Sequence, residues 1–262
     1  MTQVGELLRE ARHRRRLSQL ELSHQLGISA RHLGFVEVGR SRPGRALLVR
    51  WLAHLEVPLA VRNQALTAAG YAPLYDDAPL DGVHLREATA ALGALLASHD
   101  PLPALLLDAD WNVVAGNSGL TRLLGFLGVS APVPDLRDGA PSTPPLPMVD
   151  LLLEHGLAAT IANLEEVAPP LLAQVRAEAV GVPGLEPLLA VLEEVAGTGG
   201  AIDVPAAPTL VTRYRAPGGE LAFFSMFTTF GAPLHITLAS LRVELLFPAD
   251  AATRERLALS AG

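Results

Sequence analysis

Residues 17–29 read LSQLELSHQLGIS, and this run decides the fold of the N-terminal part of the chain. In Ser18-Gln19-Leu20-Glu21 the Ser18 hydroxyl can accept from the amide of Glu21 while the Glu21 carboxylate reaches back to the amide of Ser18. This reciprocal capping box starts a helix. Leu22 and Leu26 give that helix an apolar stripe, and small Ser23 lets a neighbour approach. Gly27 stands where a left-handed residue ends a helix. Ile28 is a buried spacer, and Ser29 caps a following helix with Ala30, Arg31 and His32 in its first turn. Two short helices joined by a tight turn are predicted, with Leu20, Ser23, Ile28, Leu33 and Val36 forming the contact between them.

Outward from this pair the pattern is that of a helix-turn-helix, whose second helix lies in the major groove with its first residues at base edges. Ser18 and Gln19 open the helix that crosses the backbone, where the Gln19 amide can meet a phosphate. Ser29, Ala30, Arg31 and His32 face the bases, and the Arg31 fork matches the O6/N7 edge of guanine. Gly39-Arg40-Ser41-Arg42-Pro43 is a basic loop suited to phosphate contact, with Arg45 beyond it. Val4, Leu7, Leu8 and Ala11 recur at helical spacing before the pair, followed by a basic stretch from Arg12 to Arg16. A helix over 46–57 and another from Pro58 to Gly70 complete a five-helix, all-α domain over residues 1–73. Charge supports this division. Residues 1–73 hold eleven Arg and five Asp and Glu, a net +6, whereas residues 74–262 hold nine Arg and 22 acids, a net −13. A basic module that binds a polyanion, joined to an acidic one, is implied.

The composition excludes several classes. There is no cysteine, so disulfides, thiolate catalysis and cysteine-held metals are ruled out. No apolar run is long enough for a membrane span, and the N-terminus lacks the apolar core of a secretory signal, so a cytoplasmic protein without membrane attachment is expected. The eight His show no H-x-H or H-E-x-x-H spacing. Asp150, Glu154 and His155 lie close together and read as a solvated turn rather than a metal site. No lysine exists to complete a phosphate loop, and Gly116-Asn117-Ser118-Gly119 is not a nucleophile elbow. No catalytic residue, metal or cofactor is predicted.

Residues 74–83, rich in Pro, Asp and Ala, read as a linker to a second domain over 84–262. Leu85, Ala88, Leu92, Leu95 and Leu96 lie at helical spacing. Pro103–Leu107 and Trp111–Ala115 are strands joined by an Asp108-Ala109-Asp110 turn, and Asn117 caps a helix. Residues 129–147 hold six prolines and are irregular. Residues 148–196 are helical, with breaks predicted at Gly156, at Pro169-Pro170 and around Gly181-Pro183-Gly184. Thr209–Arg215, Leu221–Thr229 and Ile236–Phe247 are three more strands, the first two joined by a turn at Pro217-Gly218-Gly219-Glu220. The expected fold is therefore α+β with a five-stranded antiparallel sheet. Along the last strand Thr237, Ala239, Leu241, Val243 and Leu245 form the apolar, inward set. On the middle strand Phe224 and Met226 alternate with Phe223, Ser225 and Phe227, so the sheet is expected to be covered on both faces.

The segments LSQLELSHQLGIS and ARHLGFVEVGRSRP, with the helix ALLVRWLAHLEV, resemble Cro/C1 (XRE) helix-turn-helix domains. RNQALTAAGYAP, DADWNVVAGN and LAFFSMFTTFGAPLHITLASLRVELLFPADAAT extend the resemblance to the MmyB-like bacterial transcription regulators. That resemblance implies a homodimer on an inverted-repeat operator in double-stranded DNA. It also implies a PAS-like second domain holding a fatty-acid-like effector, such as a bound long-chain acid. The chain departs from the family pattern at Phe35 and Val38, where a polar or basic residue is common, which shifts phosphate contact to Arg40, Arg42 and Arg45. It departs again at Met148, Asp150 and Val167, in the region of the ligand's polar contacts. Apolar residues expected to line the effector site are Leu153, Leu157 and Ile161 on one helix, Trp111, Phe224 and Met226, and Leu241 and Val243 on the last strand. Arg213, Arg215, Tyr214 and His235 are candidate donors to an acid head group. Two other readings of the second domain are a plain dimerisation module and an enzyme.

Overall fold

A computed structural model of the chain describes residues 3–137, 140–178, 183–197 and 209–259. The chain divides into two compact units, one formed by Met1–Ala78 with Ala232–Ala239, the other by Pro79–Gly231 with Ser240–Gly262.

The first unit contains α1 (Gln3–Arg14), α2 (Gln19–Leu26), α3 (Ala30–Glu37), α4 (Arg45–His54) and α5 (Leu59–Ala68). The capping box forms as read: Ser18 Oγ accepts from the Glu21 amide at 3.1 Å and the Ser18 amide donates to Glu21 Oε2 at 2.8 Å. Gly27 ends α2 at φ +68°, a conformation that costs a residue with a Cβ. Leu8, Leu22, Leu33, Leu48, Trp51 and Leu66 are fully buried in one core. Leu20, expected in the α2–α3 contact, is instead 60% exposed. It sits in the first turn of α2, two residues before the buried position Leu22, and so points away from the stripe. Gly5 lets α1 lie directly on the end of α3, since a Cβ there would stand 2.4 Å from the Glu37 carbonyl oxygen.

Residues that follow α5 also belong to this unit. Asn63 accepts from the amides of Leu74 and Tyr75 and donates to the Tyr75 carbonyl. Asp76 then forms a parallel bridge with His235. The Ile236 amide donates to the Asp76 carbonyl at 2.8 Å, and Thr237 Oγ1 donates to the Ala78 carbonyl at 2.7 Å. These bonds correct the predicted strand from Ile236 to Phe247. Ile236–Ser240 is a short helix, α12, and the strand begins at Arg242. β-branched Ile236 and Thr237 favour a strand locally, but the polar bonds to residues 76–78 decide the outcome.

In the second unit α6 (Arg86–Ser98) precedes β1 (Ala104–Leu107), β2 (Val113–Gly116) and α7 (Ser118–Phe126). A two-residue pair, β3 (Leu136–Arg137) and β4 (Ala140–Pro141), interrupts the proline-rich stretch. Then come α8 (Met148–Leu152), α9 (Leu157–Thr160), α10 (Leu164–Glu178) and α11 (Glu186–Gly197), followed by β5 (Val211–Ala216), β6 (Gly219–Thr229), β7 (Arg242–Pro248) and α13 (Ala251–Leu259). The five long strands make one antiparallel sheet in the order β2-β1-β7-β6-β5. The chain breaks at Gly156 as predicted, whereas Pro169 and Pro170 lie inside α10. Each proline removes one helical bond, to the carbonyls of Glu165 and Glu166, and both of those residues are exposed to water. Gly181 lies outside the described residues.

Register fixes the two faces of the sheet. Leu105 pairs with Glu244 and Leu107 with Arg242, so Arg242, Glu244 and Leu246 share the face of Leu105 and Leu107. That face, with Leu221 and Phe223, joins the main core beneath α7, α8, α10 and α11. Leu106 and Val243 point to the opposite face, where Leu92 and Leu95 of α6 meet Leu241 and Val243. The expected inward set of the last strand is corrected accordingly: Val243 is buried, but the main core lies on the side of Leu246. A sheet buried on both faces carries apolar groups on both, so alternation alone does not tell which face the larger core occupies.

Candidate functional site

Residues of the first unit form one exposed surface around α3. Ser29 Oγ caps this helix by accepting from the His32 amide at 3.2 Å, placing Ala30, Arg31 and His32 in the first turn. Arg31 is exposed, and its guanidinium lies over the Phe35 ring at 5.2 Å. Phe35, a departure from the family pattern, thus acts as a shelf that directs Arg31. Arg40, Arg42 and Arg45 are also exposed. Arg42 is steadied by the Tyr71 ring at 4.5 Å, and the Tyr71 hydroxyl donates to the Pro43 carbonyl at 2.9 Å. The Ser18 hydroxyl bond holds the Glu21 carboxyl below its usual range.

Two cations and a glutamine behave differently from their sequence reading. Arg12, in the stretch read as basic, is buried. Its Nε and Nη2 donate to Glu37 Oε1 and Oε2 at 2.7 and 2.9 Å, and its Nη1 donates to the Leu17 carbonyl at 2.8 Å. Arg15 bonds the Leu55 carbonyl and Glu56. Gln19 lies across Gly34 and donates to Glu37 Oε2 at 2.8 Å, so the crossing helix is tied to α3 through the same carboxylate. Glu37, absent from the sequence reading, is the hinge point of this arrangement.

The apolar residues expected to line one effector site are divided by the sheet. Trp111 and Ile161 are buried and Leu157 packs against the main core. Phe224, Met226 and Val243 point to the other face, by register with Phe247, Leu245 and Thr228. Phe224 stacks on Phe247 at 5.5 Å, Met226 is 55% exposed, and Leu241 and Val243 border a cavity of about 110 Å³ under α6. Leu153 is exposed and borders, with Ile161, Arg213 and Arg215, an open cleft of about 880 Å³. Leu153, Leu157 and Ile161 do not share a helix, because α8 ends at Leu152 and Ile161 is extended. Of the candidate head-group donors, Arg213 pairs with Glu166 at 2.9 Å and Arg215 donates to the carbonyls of Ala159, Ile161 and Ala162. His235 belongs to the first unit, beside Asp76.

The polar centre of the second unit lies elsewhere, around Arg242. Its Nη1 donates to Glu178 Oε2 of α10, and Trp111 Nε1 donates to the same oxygen at 2.8 Å. The guanidinium stacks over the Trp111 ring at 4.2 Å and lies 6.0 Å from the Phe227 ring. Trp111 holds φ +60°, a left-handed conformation that is unfavourable for a bulky side chain. The turn that imposes it is fastened by Asp108, which accepts from the amides of Asp110 and Asn112 at 2.9 Å each. Glu244, on the same face as Arg242, accepts from Ser225 Oγ at 2.5 Å. Burial raises the Glu244 carboxyl above its usual range against the opposing pull of Ser225 and Arg242, and burial beside Glu244 also raises the Tyr214 phenol. Sequence reading missed Arg242 and Glu244 because it assigned them to the outward face. The signal available was the two-residue spacing that puts apolar Leu246 on their face, whereas the strand register comes only from the pairing with β1.

Among the described residues no cluster of His, Asp or Glu could hold a metal ion, and no helix is long and apolar enough to cross a membrane. A helix-turn-helix family model matches residues 8–61, and the model described as the MmyB-like transcription regulator ligand binding domain matches residues 88–259. No curated protein matches the chain.

Proposed function

The chain belongs to the MmyB-like transcription regulators, DNA-binding proteins with a ligand-binding domain, and from that premise we propose that a small hydrophobic, fatty-acid-like effector in the second unit sets its affinity for an inverted-repeat operator. The observation that carries the DNA reading is the capped α2–Gly27–α3 pair, which presents exposed Arg31 on its Phe35 shelf with Arg40, Arg42 and Arg45 nearby. Arg31 reads a base edge, and the later arginines hold phosphates and fix the register. The chain acts as a homodimer, which sets two α3 helices about 34 Å apart along one face of the duplex. An effector alters transcription only by binding one dimer arrangement more tightly than another.

The test is direct. Selection from a duplex library at low salt is expected to return a palindromic site. Affinity is expected to fall linearly on a log–log plot against salt, with a slope of about −0.9 per phosphate neutralised. Denaturing extraction of the purified protein followed by mass spectrometry is expected to release a long-chain acid that changes operator affinity when added back. Loss of duplex binding at low salt refutes the DNA reading. A protein that releases and takes up no apolar molecule refutes the effector reading and leaves the second unit as a dimerisation module.

A further inference from the structure

The side chain of Arg242 is held by two partners and has one edge unpaired. Its Nη1 is bound by Glu178, one flat face lies on Trp111 at 4.2 Å, and the side chain is 13% exposed. Its Nε and Nη2 are buried and have no hydrogen-bond partner among the described residues. Leaving such donors unpaired is costly, more so on a cation, and each requires an explanation. Glu244, on the same sheet face, accepts from Ser225 and not from this guanidinium.

The two open donors lie on one edge of the guanidinium. The same chain shows what that edge takes, because Arg12 uses its own Nε and Nη2 to grip both oxygens of the Glu37 carboxylate, at 2.7 and 2.9 Å. The fork fits a planar, two-oxygen anion and not a single hydroxyl. Apolar surface adjoins it: Trp111 beneath, and Phe227, which is 41% exposed.

We propose that the Nε/Nη2 edge of Arg242 is the anchor for the carboxylate of the effector, so that the second unit selects apolar acids over the corresponding esters and alcohols. This assignment rests on the effector reading above and adds the group by which the effector is recognised. Glu178 and Trp111 are positioning residues, since they lock the rotamer that aims the fork. The edge is closed to water, so an entering acid displaces a side chain. Of the head-group donors considered from the sequence, Arg213 and Arg215 have their partners, and His235, whose ring nitrogens are also buried without a hydrogen bond among the described residues, belongs to the first unit.

The experiment compares myristic acid, methyl myristate and tetradecanol by calorimetry on the full chain, purified under denaturing conditions and refolded to strip bound lipid. The acid is expected to bind about 10- to 100-fold more tightly than the ester or alcohol, the range of a charge-assisted bidentate contact. Arg242→Lys keeps the charge and loses the fork, and is expected to bring acid and ester to similar affinity while the ester is unchanged. In the wild type, 13C NMR of carboxyl-labelled myristate is expected to show the bound acid ionised to lower pH than the free one. Equal binding of acid and ester by the wild type, or an unshifted carboxyl titration, overturns the anchor and leaves the effector reading standing. Binding of none of the three overturns the effector reading and the anchor with it. If Arg242→Lys does not fold, the wild-type comparison and titration still decide.

Discussion

Replacing Glu37 with alanine strands a buried cation. The Arg12 and Glu37 side chains are 8% and 1% exposed, and the carboxylate accepts two bonds from Arg12 and one from Gln19. Removing one member of a buried ion pair costs about 3–5 kcal/mol, because the partner keeps its charge without compensation. At about 0.05–0.15 kcal/mol per residue, a unit of this size has a total stability of about 4–13 kcal/mol. Glu37→Ala therefore consumes about a quarter or more of that stability, and at the low end unfolds the unit at room temperature. Urea unfolding of the full chain, followed by far-UV circular dichroism and tryptophan emission, measures it. Trp51 reports on the first unit and Trp111 on the second. The transition of the first unit is expected to move to lower urea and that of the second to stay. The double variant Arg12→Met with Glu37→Leu strands no charge and is expected to recover most of the loss. A Glu37→Ala cost below about 1 kcal/mol refutes this reasoning, as does a double variant no more stable than the single.

Arg31→Ala is expected to cost about 1–3 kcal/mol of duplex affinity and to relax preference at one base pair per half-site, whereas Arg42→Ala weakens all sequences alike and lowers the salt slope by about 1. A binding-site selection in which both variants behave identically refutes the placement of α3. Burial holds the Glu244 carboxyl above its ordinary value of 4.5. The folded state thus keeps a proton that the unfolded state has lost, and the associated stability is full below about pH 4.5 and lost as pH rises through the folded value. Glu244→Gln cannot ionise and is expected to flatten this decline in a pH series of unfolding curves; an unchanged slope shows that Glu244 is not its source.

What was legible in the sequence is what closes over three or four residues. The Ser18–Glu21 box, the Gly27 stop, the Ser29 cap and the Asn117 cap each involve groups a turn apart, so residue type and spacing settle them. What was not legible depends on partners far along the chain. Ile236–Ser240 is helical because residues 76–78 take its polar groups. α10 continues through Pro169-Pro170, where the carbonyls left without donors belong to the exposed residues Glu165 and Glu166. The expected effector lining mixed two faces because Phe224, Met226 and Val243 are as apolar as Trp111 and Ile161, and composition carries no sign for up or down across a sheet.

The two guanidiniums that matter most to the interior show the same limit and suggest why both were kept. Arg12 stands in a run of arginines that reads as solvated, and Arg242 alternates with residues that read as inward and so reads as outward itself. Each is buried by a glutamate remote in sequence, Glu37 at a separation of 25 residues and Glu178 at 64. A buried ion pair contributes little net stability compared with apolar residues of the same volume, so neither is explained as a staple. Their geometries differ in one respect. The Arg12 fork is filled by Glu37, and its Nη1 is satisfied by the Leu17 carbonyl, which fixes α1, α2 and α3 in one arrangement. In Arg242 the carboxylate of Glu178 takes Nη1 and the fork is left open. The closed fork suits a helix that must present Arg31 in one register. The open fork, backed by a strained Trp111, suits a site whose remaining stability is supplied on binding.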